Sequence, residues 1–275
     1  MEKKLSEYIN DSDLVIVGIG SEWNWIRQGL KDDHRYRQIL EYAGKEENKW
    51  LLPIIEFEYG YYNSDPEIDE AFRALRSLIG EKKYFLISEN FLQDALMNGF
   101  AEENCVFPCG NYRYLQTPDT DDELMEATKS EDFMGIVGRI HRIVTERDGS
   151  MREGESFYKP FFDGKLLYLN QKRQEYSNIK YNEGSYLDNW DRYMKYLSGT
   201  MGNRLLILEL GVSLDYPTVI RWPFEKVAFI NKKAHLIRVH ERLYHHTPEI
   251  EDKTDSIQMN SVKLILEESK GNEVE

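Results

Sequence analysis

Leu14-Val-Ile-Val-Gly-Ile-Gly-Ser21 decides the fold. Leu14 to Val17 are four consecutive apolar residues, the pattern of a strand buried on both faces, and Gly18-Ile19-Gly20 ends it in a tight turn. A strand with no wet face belongs inside a parallel sheet, where helices cover both sides. Similar runs recur at Tyr84-Phe-Leu-Ile87, Cys105-Val-Phe107, Leu205-Leu-Ile-Leu208 and Ala234-His-Leu-Ile-Arg-Val239. Helical signals lie between them. Asp65 reads as an N-cap and Pro66 as the first helical residue, with Ile68, Phe72, Leu75, Leu78 and Ile79 as the apolar face and Gly80 as the stop. Phe91 to Met97 reads as another helix, closed by Asn98-Gly99. Parallel neighbours need crossover connections, so this alternation implies an α/β fold with a Rossmann-like, doubly wound parallel sheet.

The sheet is expected to draw on residues 1–30, 81–118 and 195–275. Residues 31–80 read as a helical insertion: Trp25, Leu30, Ile39, Leu40 and Tyr42 keep helical spacing until Pro53 breaks it. Residues 119–194 read as a smaller module, strongly acidic from Asp119 to Asp132 and then mixed in periodicity, with many tyrosines. The polar stretch from Glu267 onward is expected to fray.

The chain has 275 residues, 41% of them apolar and 13% aromatic, enough to build a core and unlike a disordered composition. Its 35 Lys and Arg stand against 49 Asp and Glu, for a formal charge of −14. Such a balance repels phosphate backbones and anionic membranes, so neither nucleic acid nor a membrane surface is an expected partner. No apolar run approaches the ~18 residues that cross a bilayer, and the opening MEKKLSEYINDSD lacks the apolar stretch of a signal peptide, so a cytoplasmic location is expected. Cys105 and Cys109 are too few for a disulfide framework or a four-thiolate zinc site, and reduced thiols are expected.

Taken in order, Gly18-Ile-Gly20, Ser88-Glu-Asn90, Phe107-Pro-Cys-Gly-Asn-Tyr-Arg-Tyr-Leu-Gln116 and Leu208-Glu-Leu-Gly-Val-Ser213 resemble the ordered motifs of the sirtuin family. The stretch from Leu206 to Val239 is most similar to its bacterial class M, or macrodomain-linked, branch, in which Leu-Glu-Leu-Gly-Val precedes a Pro and a Pro-Phe. The resemblance runs from residue 13 to residue 240 and loosens between Asp119 and Tyr186. It implies a Rossmann domain with a small zinc ribbon and a helical insertion, NAD as cofactor, and transfer of ADP-ribose with loss of nicotinamide. Sirtuins use this chemistry for protein deacylation, whereas class M members resemble protein ADP-ribosyltransferases acting on a protein acceptor such as a lipoate-carrier protein.

Carried over residue by residue, the resemblance places Gly18, Gly20 and Ser21 at the family's Gly-Ala-Gly turn, where missing side chains let backbone N–H groups approach a pyrophosphate. The bland alternative is an ordinary strand-to-helix turn. Asn90 matches the Asn of Thr-Gln-Asn-Ile-Asp, implied to position the nicotinamide ribose and a water, and the alternative is a helix N-cap. The family's Asp falls on Leu92. Cys109 replaces the catalytic His of the His-Gly pair, where it would need to be a thiolate to act as base; the alternative is a small buried apolar side chain. Gly211 and Ser213 match Gly-Thr-Ser, implied to meet the cofactor's phosphate and ribose. His240 stands where the family's Asn contacts adenosine.

After Gln116 the zinc cysteines are missing. No zinc is therefore expected, with Tyr158, Phe161, Phe162, Tyr168, Tyr176 and Tyr181 offered as a small aromatic core in its place. His245-His246 reads as a solvent-facing loop, Arg27 is the only arginine near the family's loop arginine, and Trp23 and Trp25 read as either ligand cover or core. Three functions stay open: an NAD-dependent ADP-ribosyltransferase or deacylase, a catalytically degenerate NAD sensor or interaction module, and an NAD hydrolase.

Overall fold

The computed structural model describes residues 3–272. The chain divides into two compact units. One comprises residues up to Asn24, Asp65–Cys109 and the chain from Tyr186 on; the other comprises Trp25–Ser64 and Gly110–Ser185.

The first unit is built on β1 (Leu14–Ile19), β2 (Lys83–Ser88), β3 (Cys105–Val106), β4 (Leu205–Leu210), β5 (Ala234–Val239) and β6 (Thr254–Ile257). They pair in the order 3-2-1-4-5-6, and every pair is parallel. All six residues of β4 are buried, as are Val15 to Ile19 of β1, so the central strands are apolar on both faces because helices cover both. The helices of seven or more residues in this unit are α1 (Leu5–Asp11), α2 (Pro66–Ile79), α3 (Leu187–Gly199), α4 (Arg221–Ile230) and α5 (Ser261–Asn272). As expected from the sequence, the Asp65 side chain caps α2 by accepting from the N–H groups of Glu67 and Ile68, and Gly80 ends it at φ +56°.

Two local expectations are corrected. The helix expected from Phe91 begins only at Asp94, because Asn90 is held by the turn before it, as described below. The chain beyond Glu267 does not fray at once: α5 continues to Asn272, with Val262, Leu264, Ile265 and Leu266 buried. Glu268 anchors it by accepting from the Leu5 N–H at 2.8 Å, a contact across 263 residues that no local pattern announces.

The second unit packs helices Trp25–Asp32, Arg37–Ala43, Leu52–Tyr62 and Glu131–Glu146 with a three-stranded antiparallel sheet in the order Met125–Glu126, Gly110–Gln116, Tyr168–Gln171. The 16-residue helix at Glu131 lies where the sequence reading found only mixed periodicity. Its signal was there: Ser130 caps it, and Phe133, Ile136, Val137, Ile140, Ile143 and Val144 form one buried face. The six-residue aromatic core is also corrected. Tyr158, Phe161 and Phe162 are exposed and only Tyr176 is buried. Side-chain amides tie the segment together instead: Asn170 donates to Gln116 Oε1 and to Asn182 O, both at 2.8 Å, and Asn182 Nδ2 donates to the carbonyls of Thr120 and Asp122. No cysteine lies in this unit, so its residues do not fit a zinc tetrathiolate. Among the described residues no group of three or more His, Cys, Asp or Glu is placed to hold a metal, and no helix is long and apolar enough to cross a membrane.

Candidate functional site at the sheet switch point

In a doubly wound sheet the strand order reverses on either side of the first strand, and the turns beyond the carboxyl ends there leave a crevice. Here Ile19 of β1 is level with Ser88 of β2 and Leu210 of β4, so the three turns that follow meet. They carry Gly20-Ser21-Glu22, Glu89-Asn90 and Gly211-Val-Ser213.

The glycines fix how closely these turns approach. A Cβ on Gly20 would overlap Gly211 O and Val212 Cα, backbone atoms that cannot swing away. Gly211 adopts φ +66°, and its Cβ would lie 2.5 Å from Glu22 Cβ. Gly18 is constrained by helix packing, since its Cβ would come within 2.5 Å of Ile220 Cγ2 and 2.7 Å of the Phe224 ring.

Asn90 is buried and bolts one turn to another: its Nδ2 donates to Gly20 O at 2.8 Å, and its N–H donates to Ser88 Oγ at 3.1 Å. It is not the N-cap of the next helix, whose preceding residue is Gln93. Glu89 is 5% exposed, and its Oε1 accepts from the backbone N–H of Ser21 at 3.1 Å and of Ser213 at 2.9 Å. Its Oε2 has no hydrogen-bond partner among the described residues. Burial pushes the Glu89 carboxyl up to about 7, with the N–H and side chain of Ser213 and the Ser21 N–H opposing the shift and the Asp215 charge adding to it. Ser213 Oγ is occupied locally, accepting from Asp215 N at 3.1 Å.

Glu22 forms a second knot. Its Oε1 accepts from Glu241 N at 2.9 Å, and its Oε2 from Ser261 N at 2.8 Å and Ser261 Oγ at 2.7 Å. The Trp23 indole donates to the same Ser261 Oγ at 3.0 Å and is 1% exposed, which makes it a core residue. His240 is buried, and its Nδ1 accepts from the N–H groups of Arg242 and Leu243. That nitrogen also lies 3.3 Å from Glu22 Oε1. Its lone pair is committed to the backbone and burial lowers its pKa, so the ring is neutral and the contact is not an ion pair.

Cys109 is fully buried, the setting in which cysteine behaves as a small apolar side chain. Leu92 is half-buried and Arg27 is exposed. Gly20, Ser21, Asn90, Gly211 and Ser213 are thus brought together, and His240 caps the turn after β5. The sequence reading passed over Glu89 and Glu22. The signal for both was an acid placed directly beyond an apolar parallel strand, where water is scarce and backbone N–H groups are the available partners.

Strand order and switch-point turns define a Rossmann-type, doubly wound fold. More narrowly, the chain is a divergent sirtuin-like protein in its fold. A Sir2 homologue–NAD complex superposes with a TM-score of 0.53 at 15% identity, over 100% of this chain and 94% of that one. A mutant Sir2 homologue–ADP-ribose complex gives 0.55 at 14% identity, over 100% and 99%. Sir2Tm bound to a propionylated peptide gives 0.52 at 13% identity, over 98% and 97%. In sequence, the protein ADP-ribosyltransferase of Staphylococcus aureus (strain Mu50 / ATCC 700699) is 18% identical over 272 residues, covering 90% of this chain and 80% of that protein. No family model matches.

Proposed function

We propose that this chain binds NAD at the switch point and transfers ADP-ribose to a protein acceptor, in the manner of the class M sirtuins. The observation that carries the reading is the convergence of the Gly20, Asn90 and Ser213 turns on one point, with two backbone N–H groups aimed at a single oxygen. A donor pair of this kind suits an anionic oxygen such as that of a diphosphate. NAD, when bound, supplies a ribosyl bond from which nicotinamide departs. The chain's own part is to offer the Ser21 and Ser213 N–H groups to the diphosphate and to keep the Gly20 turn in place through Asn90. The names of the S. aureus relative and of the NAD and ADP-ribose complexes support the reading.

The test is incubation with NAD and candidate acceptors, a lipoate-carrier protein among them, while following nicotinamide release and the acceptor's mass. Nicotinamide release with an ADP-ribose adduct, both lost in Asn90→Ala, is the expected result. Release without an adduct would make the protein an NAD hydrolase. A second reading, that of a non-catalytic NAD sensor, is favoured by the buried Cys109, by Leu92 in place of the family's Asp, and by Glu89 on the N–H pair. Saturable NAD binding without nicotinamide release would single it out, and no heat at millimolar NAD would end both readings.

A further inference from the structure

The N–H groups of Ser21 and Ser213 come from turns after two different strands and point at one oxygen, which belongs to this chain's own Glu89. Two backbone donors converging on one buried oxygen form an anion cradle, and here a carboxylate fills it. The fit is incomplete. Oε1 takes both backbone donors while the buried Oε2 takes none, and beside them the Ser213 side chain favours the ionised form, so the carboxylate's lost hydration is replaced in part. An anion from outside that satisfied the same donors would release this strain, provided Glu89 did not stay in the cradle as a second negative charge.

We propose that Glu89 is a built-in gate on the anion cradle of Ser21 and Ser213: a diphosphate-bearing ligand enters when Glu89 is protonated and is repelled when it is ionised. The proposal takes its ligand from the NAD reading above. The other charges around the carboxylate do not remove the effect. Asp215, in the turn after β4, repels the ionised form, and Arg221 on α4 attracts it. Glu22, in the turn after β1, is turned to Glu241 and Ser261, and the Nδ1 of His240 beyond β5 is taken up by the Arg242 and Leu243 N–H groups. The carboxyl, pushed up to about 7 by burial, sets the pH range in which the gate works.

The proposal is tested by calorimetric titration of the wild type, Glu89→Gln and Glu89→Ala with NAD and, separately, with inorganic pyrophosphate. Titrations at pH 6 and pH 8, each in two buffers of different ionisation heat, count the protons taken up. Wild-type affinity for NAD is expected to fall about tenfold from pH 6 to pH 8, with about one proton taken up per ligand at pH 8. Glu89→Gln, which mimics the protonated state, is expected to bind NAD equally at both pH values with no proton uptake, and Glu89→Ala likewise. NAD binding without a pH slope, or a slope that survives in both variants, overturns the gate and leaves the NAD reading intact. If NAD gives no heat but pyrophosphate binds with a slope that differs in the same way between wild type and variants, the gate stands and the NAD reading falls. No heat from either probe at pH 6 overturns both.

Discussion

Glu209 and Arg238 face each other on the adjacent parallel strands β4 and β5, both side chains buried, and Arg238 Nη2 donates to Glu209 Oε2 at 2.8 Å. Arg238 Nε lies 2.7 Å from Glu209 Oε1 but is not aligned as a hydrogen bond. Arg221 adds a contact at 3.4 Å, and Glu225 takes an Arg238 donor at 2.7 Å. The arginines then reach the carbonyls of Leu243 and His245, tying down the loop that follows His240. Removing one member of such a group leaves an uncompensated buried charge. Glu209→Ala is expected to cost about 3–5 kcal/mol in urea unfolding. The amides of residues 241–246 should exchange faster with solvent as well; an unchanged loop would show that the arginines do not hold it.

The glycine turn sets a ranking. A methyl on Gly20 meets backbone, whereas one on Gly18 meets the side chains of Ile220 and Phe224, which can shift. Gly20→Ala is expected to cost at least about 3 kcal/mol and Gly18→Ala roughly 1–3 kcal/mol. Denaturation midpoints of the two variants check the order, and a Gly18 variant less stable than the Gly20 variant would contradict it.

Glu89 makes stability depend on pH in a stated direction. Its folded value of about 7 lies above the ordinary 4.5, so the folded chain holds this proton to higher pH than the unfolded chain. Below pH 4.5 both folded and unfolded chains hold the proton and stability does not depend on it, stability falls as pH rises towards 7, and it levels off above. Glu89→Gln is therefore expected to be the more stable protein at pH 8, by about 3 kcal/mol at most, and to match the wild type near pH 4.5. Unfolding free energies at the two pH values decide it: a Glu89→Gln protein less stable than wild type at pH 8 would mean that ionised Glu89 holds the turns together.

In the second unit, Glu58 is wholly buried between Tyr36, whose hydroxyl donates to Oε2 at 2.6 Å, and His141, whose Nδ1 lies 2.8 Å from Oε1. Tyr36→Phe removes the donor and leaves an acceptor stranded. A loss of about 1–3 kcal/mol is expected in chemical denaturation. The double variant Tyr36→Phe/Glu58→Gln should recover part of it, since a neutral amide is cheaper to bury than a carboxylate.

The sequence carried the sheet and the turns because their causes are local. Leu14 to Val17 and Leu205 to Leu208 are apolar on every side, Asp65-Pro66 and Gly80 punctuate α2, and Gly18, Gly20 and Gly211 stand where chain segments must touch. The helix at Glu131–Glu146 is equally legible from its apolar spacing, although it follows directly on the acidic run from Asp119 to Asp132.

What the sequence by itself determined is therefore the doubly wound α/β class, the sirtuin-like order of motifs and the absence of the cysteines that a zinc ribbon needs. Only the tertiary structure decided what the polar side chains do. Asn90 proved to be a bolt onto Gly20 rather than a helix cap, Glu89 the occupant of an anion cradle, and Glu268 the anchor of a tail expected to fray. The physical reason is range. Apolar patterning and turn chemistry act over a few residues, whereas a buried carboxylate is defined by donors from distant parts of the chain, here 68 and 124 residues away.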